Sequence, residues 1–294
     1  MANSAQTTPD IYILKQSGEK VKYNPDQLRR SLERSGAGEE DIRVILKEVR
    51  NILYDGISTK KIYRIAYDLL RKRASHATTR YRLKQAIMDL GPTGYPFERF
   101  VGALLAHQGY RVETGVLVKG RCVQHEVDVV AVKDHKKILV ECKFHHDQGT
   151  KSDVKVPMYI RSRFEDIRKE LHQQHPGETF AMEGWLVTNT RFTADAISFG
   201  SCSGLRLISW DYPAKGSLRE RIDLAGLYPV TCLHTLTRNE KKQLLEKEIV
   251  MCRELASDMS VLSFLGISAA RLKRLKKELD LLFEKTRADL MSAL

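Results

Sequence analysis

The sequence lacks any run of apolar residues close to the ~20 that a membrane-spanning helix requires. Its first ten residues, MANSAQTTPD, have the features of neither a secretory signal peptide nor a lipid anchor. The five cysteines are odd in number and show no Cys-x-x-Cys spacing, which argues against a disulfide framework and against a zinc site. These absences predict a cytoplasmic protein with reduced thiols and no membrane partner.

Charge, by contrast, is abundant and mostly of one sign. Lys and Arg number 49 against 37 Asp and Glu, which gives a net charge of +12. An excess of this size predicts an anionic partner, with nucleic acid or nucleotide phosphate as the first candidates, although a membrane surface also fits the charge. The length of 294 residues is sufficient for two or three domains, and 42% apolar residues are typical of a globular protein.

Residues 11–93 are predicted to form a small, mainly helical domain. The stretch IYILKQSGEKVKYN alternates around Ser17-Gly18, as a hairpin does. Asn24-Pro25 is typical of a helix start, and Gly36 is typical of its end. Three further helices are predicted from apolar spacing, in EEDIRVILKEVRNIL, STKKIYRIAYDLLRKR and TTRYRLKQAIMDLG.

This order resembles the ATP-cone domain of ribonucleotide reductases and of their nucleotide-sensing repressors. The family opens with a hairpin of a lysine, a basic residue, a turn and a glycine, followed by an aromatic residue. The residues KQSG at 15–18, Tyr23 and the later helix start GISTKKI match this pattern. The resemblance implies that ATP or dATP binds here as an effector, with contacts at Lys15, Asn24 and Thr59.

Two positions depart from the cone pattern. Gln16 stands where the family usually has arginine, and Gln27 stands where it usually has lysine. Two charges that would hold phosphates are therefore missing. The fold implied by the resemblance depends less on these charges than nucleotide binding does.

Glycines and a proline at Gly91-Pro92 and Gly94 mark the start of a second domain, residues 94–225. Its apolar patterns follow the order α-β-β-β-α-β-α-β, which predicts an α/β fold with a mixed sheet flanked by helices. Residues 226–294 are predicted to form a small helical domain. Its segment LGISAARLKRLKKEL fits either packing helices or a helix-hairpin-helix that contacts DNA.

Charged residues interrupt two otherwise apolar strands in HEVDVVAVKDHKKILVECK, residues 125–143. If the hairpin turns at Asp134-His135, Asp128 lies opposite Glu141, with roughly 4.5–5.5 Å between Cβ atoms. Lys143 then shares the face of Glu141, whereas a slip of one residue would separate the two carboxylates.

Two facing carboxylates repel each other unless a cation neutralises them. Mg²⁺ prefers oxygen ligands and takes one or two carboxylates, so the pair predicts a divalent metal site. Together with a lysine, such a site has the parts of a phosphodiester hydrolase. The alternative is an ordinary cross-strand ion pair on a solvated sheet face, although these strands are more apolar than such a face requires.

The same residues resemble the PD-(D/E)xK nuclease superfamily, in its Mrr-like restriction endonuclease branch, over residues 95–212. The matching segments are YPFERFVGALLAHQGYRVE, EVDVVAV, ILVECKF and WLVTNTRFTADAISF. The resemblance implies that Asp128 and Glu141 hold Mg²⁺ or Mn²⁺ and that Lys143 is the catalytic lysine. Glu98 would be the acid of the leading helix, which either supports the metal ligands or holds a second metal ion. The branch often has glycine where Val127 stands and glutamine at the position of Glu141.

Other polar residues near this motif have two interpretations each. His125 either assists a metal ion or caps its strand. The run His145-His146-Asp147 either binds a metal or faces DNA phosphates or solvent, because adjacent residues of a strand point to opposite faces. The basic stretch KSDVKVPMYIRSRFEDIRK fits a DNA-facing helix in which Tyr159 and Phe164 are either surface or core residues.

The sequence therefore favours a metal-dependent DNA endonuclease, a homo-oligomer with an N-terminal domain that binds ATP or dATP. A DNA-binding regulator is the alternative, with the cone as nucleotide sensor and the nuclease fold as a platform without cleavage. A scaffold with neither activity is the third interpretation, and it predicts no salt-dependent DNA binding.

Overall fold

A computed structural model of the protein describes residues 11–15, 17–174 and 181–291, and side chains in these ranges except at residues 75, 76 and 284–291. Gln16, one departure from the cone pattern, lies outside the described residues. The chain divides into two compact units, Met1–Arg82 and Leu83–Leu294.

The first unit combines a small sheet with four helices. Its elements are β1 (Tyr12–Leu14), β2 (Lys20–Lys22), α1 (Pro25–Ser35), α2 (Glu39–Asn51), β3 (Ile57–Ser58), α3 (Thr59–Arg73) and α4 (Ser75–Tyr81). Strand β1 pairs antiparallel with β2 and parallel with β3. The predicted N-terminal hairpin is therefore confirmed.

Local sequence explains where the first helix of this unit begins and ends. The Asn24 side chain accepts a hydrogen bond from the backbone N of Asp26, and Pro25 occupies the first turn, where no N–H is needed. Gly36 ends the helix with φ of 84°, a conformation that glycine adopts without steric cost. Apolar residues of the helices and β3 form the core of this unit: Leu32, Ile42, Ile45, Val49, Ile57, Ala66 and Leu70.

The prediction of one helix through TTRYRLKQAIMDLG is wrong. Helix α4 ends at Tyr81, and α5 (Leu83–Met88) begins after a turn at Arg82. Tyr81 packs in the core of the first unit, whereas Leu83 packs in a core of the second. Apolar spacing continues across this point although the side chains on its two sides belong to different cores.

The second unit contains a mixed sheet and a helical C-terminal segment. Its elements after α5 are α6 (Tyr95–His107), β4 (Arg111–Lys119), β5 (Gln124–Lys133), β6 (Lys136–Lys143), β7 (Lys151–Ser152), α7 (Lys155–Gln174), β8 (Ala181–Thr188), β9 (Arg191–Phe192), α8 (Ala194–Cys202), β10 (Leu205–Ile208), α9 (Leu218–Ala225), α10 (Arg238–Glu246), α11 (Cys252–Ser257) and α12 (Ala269–Met291).

The five-stranded sheet has the order β10-β8-β6-β5-β4. Strands β4, β5 and β6 are antiparallel neighbours, and β6, β8 and β10 run parallel. The two short strands β7 and β9 pair separately. The predicted mixed sheet flanked by helices, in the order α-β-β-β-α-β-α-β, is confirmed.

Each face of this sheet buries its own apolar cluster. One cluster joins the sheet to α6 and includes Phe97, Val129, Val140 and Trp185. The other joins it to α7 and α8 and includes Val127, Leu139, Phe164 and Ala196. Because the sheet is covered on both sides, the central parts of its inner strands are mainly apolar, as the sequence indicates.

The C-terminal segment packs into the cluster on the α6 side of the sheet. Buried residues of this segment that belong to the cluster are Tyr228, Leu233, Leu244, Leu255, Leu275 and Leu279. Of the two interpretations of LGISAARLKRLKKEL, this burial supports packing helices. Within the described residues, no helix is long and apolar enough to cross a membrane.

Candidate active site

The hairpin of β5 and β6 has the register that the sequence predicts. Lys133 pairs with Lys136 and Val129 with Val140, so the turn is Asp134-His135. Asp128 and Glu141 follow the last of these pairs, one residue further along each strand. Asp128 Oδ2 instead accepts a hydrogen bond of 2.6 Å from the backbone N of Cys142. The carboxylate thus replaces a ladder contact at the point where regular pairing stops.

A change of face on the neighbouring strand explains why pairing stops there. On β4, Val112 packs in the cluster on the α6 side, whereas Val116 packs in the cluster on the α7 side. Between them, Gly115 has a positive φ of 64°. Val129 and Val127 on β5 divide between the two clusters in the same way. The side chains of β4 and β5 therefore change from one face of the sheet to the other at Asp128, and its carboxylate lies at this distortion.

Three carboxyl groups at this place have raised pKa values. Burial, with the neighbouring Asp128 charge as the second cause, raises the pKa of Glu141 to about 7. Burial also raises the pKa of Glu98 on α6 to about 7, and the charges of Asp128 and Glu126 add to this. The pKa of Asp128 is raised by burial, although the hydrogen bond from Cys142 opposes the shift.

Two cationic side chains border the carboxylates. Lys143 is exposed at the end of β6, and its positive charge partly opposes the rise that burial causes in the pKa values of Asp128 and Glu141. It lies two residues beyond Glu141 and so points to the same face of the strand. Burial, followed by the charges of Asp128, Glu98 and Glu141, raises the pKa of the Cys142 thiol. The three carboxyls that the sequence predicts together therefore lie near Cys142, and their roles stay a prediction.

Arg163 on α7 is a member of the cluster that the sequence did not identify. Its Nη1 donates a hydrogen bond of 2.8 Å to Glu141 Oε2, and its Nη2 donates to the backbone carbonyl of Glu126. The side chain is only 13% exposed. The basic stretch on this helix was noted in the sequence, but nothing there distinguishes Arg163 from its basic neighbours.

The residues present fit a divalent cation. No group of three or more His, Cys, Asp or Glu side chains in the described part of the chain is arranged to hold a metal by itself. Mg²⁺, however, commonly takes one or two carboxylates and keeps several waters. Asp128 and Glu141 could supply these two, and added positive charge would oppose the rise in the pKa of Glu141 that burial and the Asp128 charge cause.

Histidines near the site are occupied elsewhere. His125 Nε2 lies 2.9 Å from Asp166 Oδ2 on α7, and Asp166 also accepts hydrogen bonds from the backbone N of Cys122 and Val123. His145 Nε2 lies 2.9 Å from Ser152 Oγ. Both side chains contact protein groups of the fold, which favours a structural role over metal binding for each of them.

The residues predicted to contact nucleotide lie in the first unit. Lys15 is exposed and its Nζ is 2.9 Å from Glu19 Oε2. Asn24 caps α1, and Thr59 is the first residue of α3, after the cap residue Ser58. Their role in binding ATP or dATP stays a prediction.

Known proteins resemble this chain in each of its parts. Sequence models match for an ATP cone domain over residues 11–84, a restriction endonuclease over 92–212, and an AF1548-like C-terminal domain over 228–283. A protein of Archaeoglobus fulgidus, described as uncharacterized, is 32% identical over 176 residues, which is 60% of this chain and 95% of the relative.

A solved structure supports the same likeness. The crystal structure of the protein of unknown function AF1548 is 32% identical and superposes with a TM-score of 0.52. It covers 64% of this chain, and the match extends over 97% of the solved chain. Both resemblances drawn from the sequence, to the ATP cone and to the Mrr-like endonucleases, are confirmed by the domain matches.

Proposed function

The chain belongs to the AF1548-like family and carries a restriction endonuclease domain, and from this premise we propose that it is a metal-dependent deoxyribonuclease. The observation that carries the proposal is the group of carboxyls at the distortion of β5, where Glu98 and Glu141 have a pKa of about 7. Raised pKa values of this kind cluster at functional sites, because burial and like charge are kept there for chemistry. The net charge of +12 suits a DNA substrate.

Each residue of the cluster has a distinct role in this proposal. Asp128 and Glu141 would hold Mg²⁺ or Mn²⁺, which when bound supplies a water of lowered pKa and stabilises charge on the phosphate. Lys143 orients the attacking water and offsets the charge that develops on the phosphate oxygens. Glu98 holds a water on the α6 side of the site through its carboxyl group.

The test is incubation of the purified protein with Mg²⁺ or Mn²⁺ and a panel of DNA substrates: single-stranded, duplex, branched and methylated. We expect hydrolysis that Asp128→Asn abolishes. Asp134→Asn, in the turn of the same hairpin, is the matched control and keeps activity because Asn also tolerates the positive φ found there. A folded wild-type protein that cleaves none of the substrates would contradict the proposal.

We further propose that the first unit binds ATP or dATP through Lys15, Asn24 and Thr59, because an ATP cone domain matches there. Calorimetry on the full chain with each nucleotide tests this. Lys15→Ala should weaken binding, while Lys47→Ala on the exposed side of α2 should not. Absence of heat at millimolar nucleotide would exclude a sensing role and leave the cone as an assembly module.

A homo-oligomer belongs to the same proposal, since two such sites brought together would cut both strands of a duplex. Light scattering with and without nucleotide measures the assembly directly. The regulator remains the second candidate, and the ATP cone is what favours it. If cells carrying Asp128→Asn behaved like the wild type, the regulator would be the better description.

A further inference from the structure

An exposed aromatic ring borders the candidate active site. Tyr159, in the second turn of α7, is 64% exposed. The guanidinium of Arg163 lies over this ring, 5.6 Å from its centroid. The same arginine holds the Glu141 carboxylate, so the ring is one side chain away from the proposed metal site.

The position of this ring follows from the packing of α7. Ile160, Phe164 and Ile167 bury one side of the helix against the sheet. Lys155, Tyr159 and Arg163 are spaced by four residues and therefore form a row along one side of the helix. We call these three residues the α7 row. Because Arg163 reaches Glu141, the row ends at the carboxylates.

The α7 row has the composition of a site for an unpaired nucleotide. Proteins bind single strands with positive side chains that follow the backbone and with aromatic rings on which bases stack. Lys155 is exposed and supplies positive charge at one end of the row, and at the other end Arg163 links the Tyr159 ring to the Glu141 carboxylate. Bases inside a duplex already stack on their neighbours. An exposed aromatic ring beside the scissile phosphate therefore suits an unpaired base.

We propose that the α7 row binds an unpaired nucleotide next to the phosphate that is cut, with the base stacked on Tyr159. The substrate class would then be single-stranded DNA or a junction between single strand and duplex. This inference rests on the proposed nuclease function and adds the form of DNA on which the nuclease acts.

Binding is measured in the Asp128→Asn background, so that cleavage does not interfere. Fluorescence anisotropy at one fixed salt concentration compares a single strand, a duplex with a 3′ or 5′ overhang, and a blunt duplex of equal length. Tyr159→Ala should weaken binding of the first two by about 5- to 150-fold, as loss of one stacked base does elsewhere. The blunt duplex should change by less than about twofold.

Conservative variants separate stacking from other roles of the ring. Tyr159→Phe should bind like the parent, whereas Tyr159→Leu, which is apolar but cannot stack in the same way, should bind like Tyr159→Ala. Leu224→Ala is the matched control, because Leu224 is 65% exposed on α9. A 2-aminopurine at the unpaired position should lose fluorescence on the parent and on Tyr159→Phe only.

Several results would overturn the inference. Equal weakening on the single strand and the blunt duplex would make Tyr159 a general DNA contact. A loss in Tyr159→Phe as large as in Tyr159→Ala would assign the effect to the hydroxyl group. No loss in any Tyr159 variant would remove the ring from the site. Failure of the nuclease proposal is seen separately, as absence of cleavage by the wild-type protein on DNA that it binds.

Discussion

Asp166 on α7 contacts β5, and Glu141 on β6 contacts α7. Their surroundings nevertheless shift the pKa values of the two carboxyl groups in opposite directions. Asp166 is 14% exposed and accepts hydrogen bonds from His125 and from the backbone N of Cys122 and Val123, which hold its pKa well below the usual range. The pKa of Glu141 is raised to about 7 by burial and by Asp128, even though Arg163 contacts it.

The difference distinguishes a completed structural contact from the proposed metal site. The hydrogen-bond donors described around Asp166 belong to the chain itself, and these hydrogen bonds fix the β4–β5 loop onto α7. Around Glu141, by contrast, burial and the neighbouring Asp128 carboxylate disfavour the charged form. A divalent ion would change the second environment greatly and the first hardly at all. The predictions below depend on that contrast.

The largest effect is expected from Asp128→Asn. Its shape is conserved, but a ligand charge is lost and metal binding weakens with it. We expect cleavage to fall by more than about 10³-fold, beyond the 10²–10³-fold that loss of one charge-stabilising group causes. Initial rates on the preferred DNA substrate at saturating Mg²⁺ measure this, and calorimetry with Mn²⁺ measures the loss of affinity.

Asp166→Asn is the counterpart on the other side of the comparison. It removes the charge that holds His125 and weakens the contacts to the loop, so the Tm should fall while the cleavage rate remains within about threefold of the wild type. Circular dichroism melts and the same rate assay are sufficient. If Asp166→Asn lost cleavage as Asp128→Asn does, the two carboxylates would not have separate roles.

Lys143→Ala should cause the next largest effect. The lysine does not hold the metal, so Mn²⁺ affinity should change little while the rate falls by about 10²–10³-fold through loss of charge stabilisation. Lys136→Ala, in the first residue of the same strand, is the control and should leave the rate unchanged. Full activity in Lys143→Ala would remove it from the chemistry.

The sequence was sufficient for much of this site because a short hairpin fixes register. The Asp134-His135 turn and the alternation of β5 and β6 predict the observed register up to the pair Val129 and Val140, one residue short of Asp128 and Glu141. Arg163 was out of reach, since it lies 22 residues along the chain from Glu141. Only the packing of the α7 apolar side decides which arginine of that helix points inward.

Two features of the fold were hidden for related reasons. The helix predicted through Arg82 breaks because residues on its two sides belong to different cores, which apolar spacing does not encode. The change of sheet face along β4 at Gly115 leaves the alternating pattern of apolar residues intact. In both places local periodicity is satisfied while the tertiary environment changes.

A smaller effect is expected from pH. Because the pKa values of Glu98 and Glu141 are about 7, both groups are largely protonated below pH 7, and on Glu141 the proton competes with the metal. At limiting Mg²⁺ the cleavage rate should fall about tenfold per pH unit below 7 for each proton that must leave. Raising Mg²⁺ should shift the profile to lower pH. A profile that is flat from pH 5.5 to 8 at limiting Mg²⁺ would contradict this assignment.

Glu98→Gln should give the smallest effect, and in stability it should be an improvement. The pKa of Glu98 is raised from 4.5 to about 7, so its ionisation disfavours the folded state increasingly as pH rises through this window. Removing the charge should stabilise the metal-free protein at pH 8 by about 1 kcal/mol, with allowance for solvent screening of a half-buried group. That corresponds to a Tm increase of about 2–4 °C.

The gain should be much smaller at pH 5, where the folded protein already carries Glu98 in its neutral form. The matched control is Glu113→Gln on the exposed side of β4, which should not change the Tm at either pH. Cleavage should fall by about 10- to 100-fold, less than for Asp128→Asn, because Glu98 acts through a water and not as a ligand. A lower Tm for Glu98→Gln at pH 8 would mean that the carboxylate stabilises the fold, as Asp166 does. Glu98 would then have a structural role and not a catalytic one.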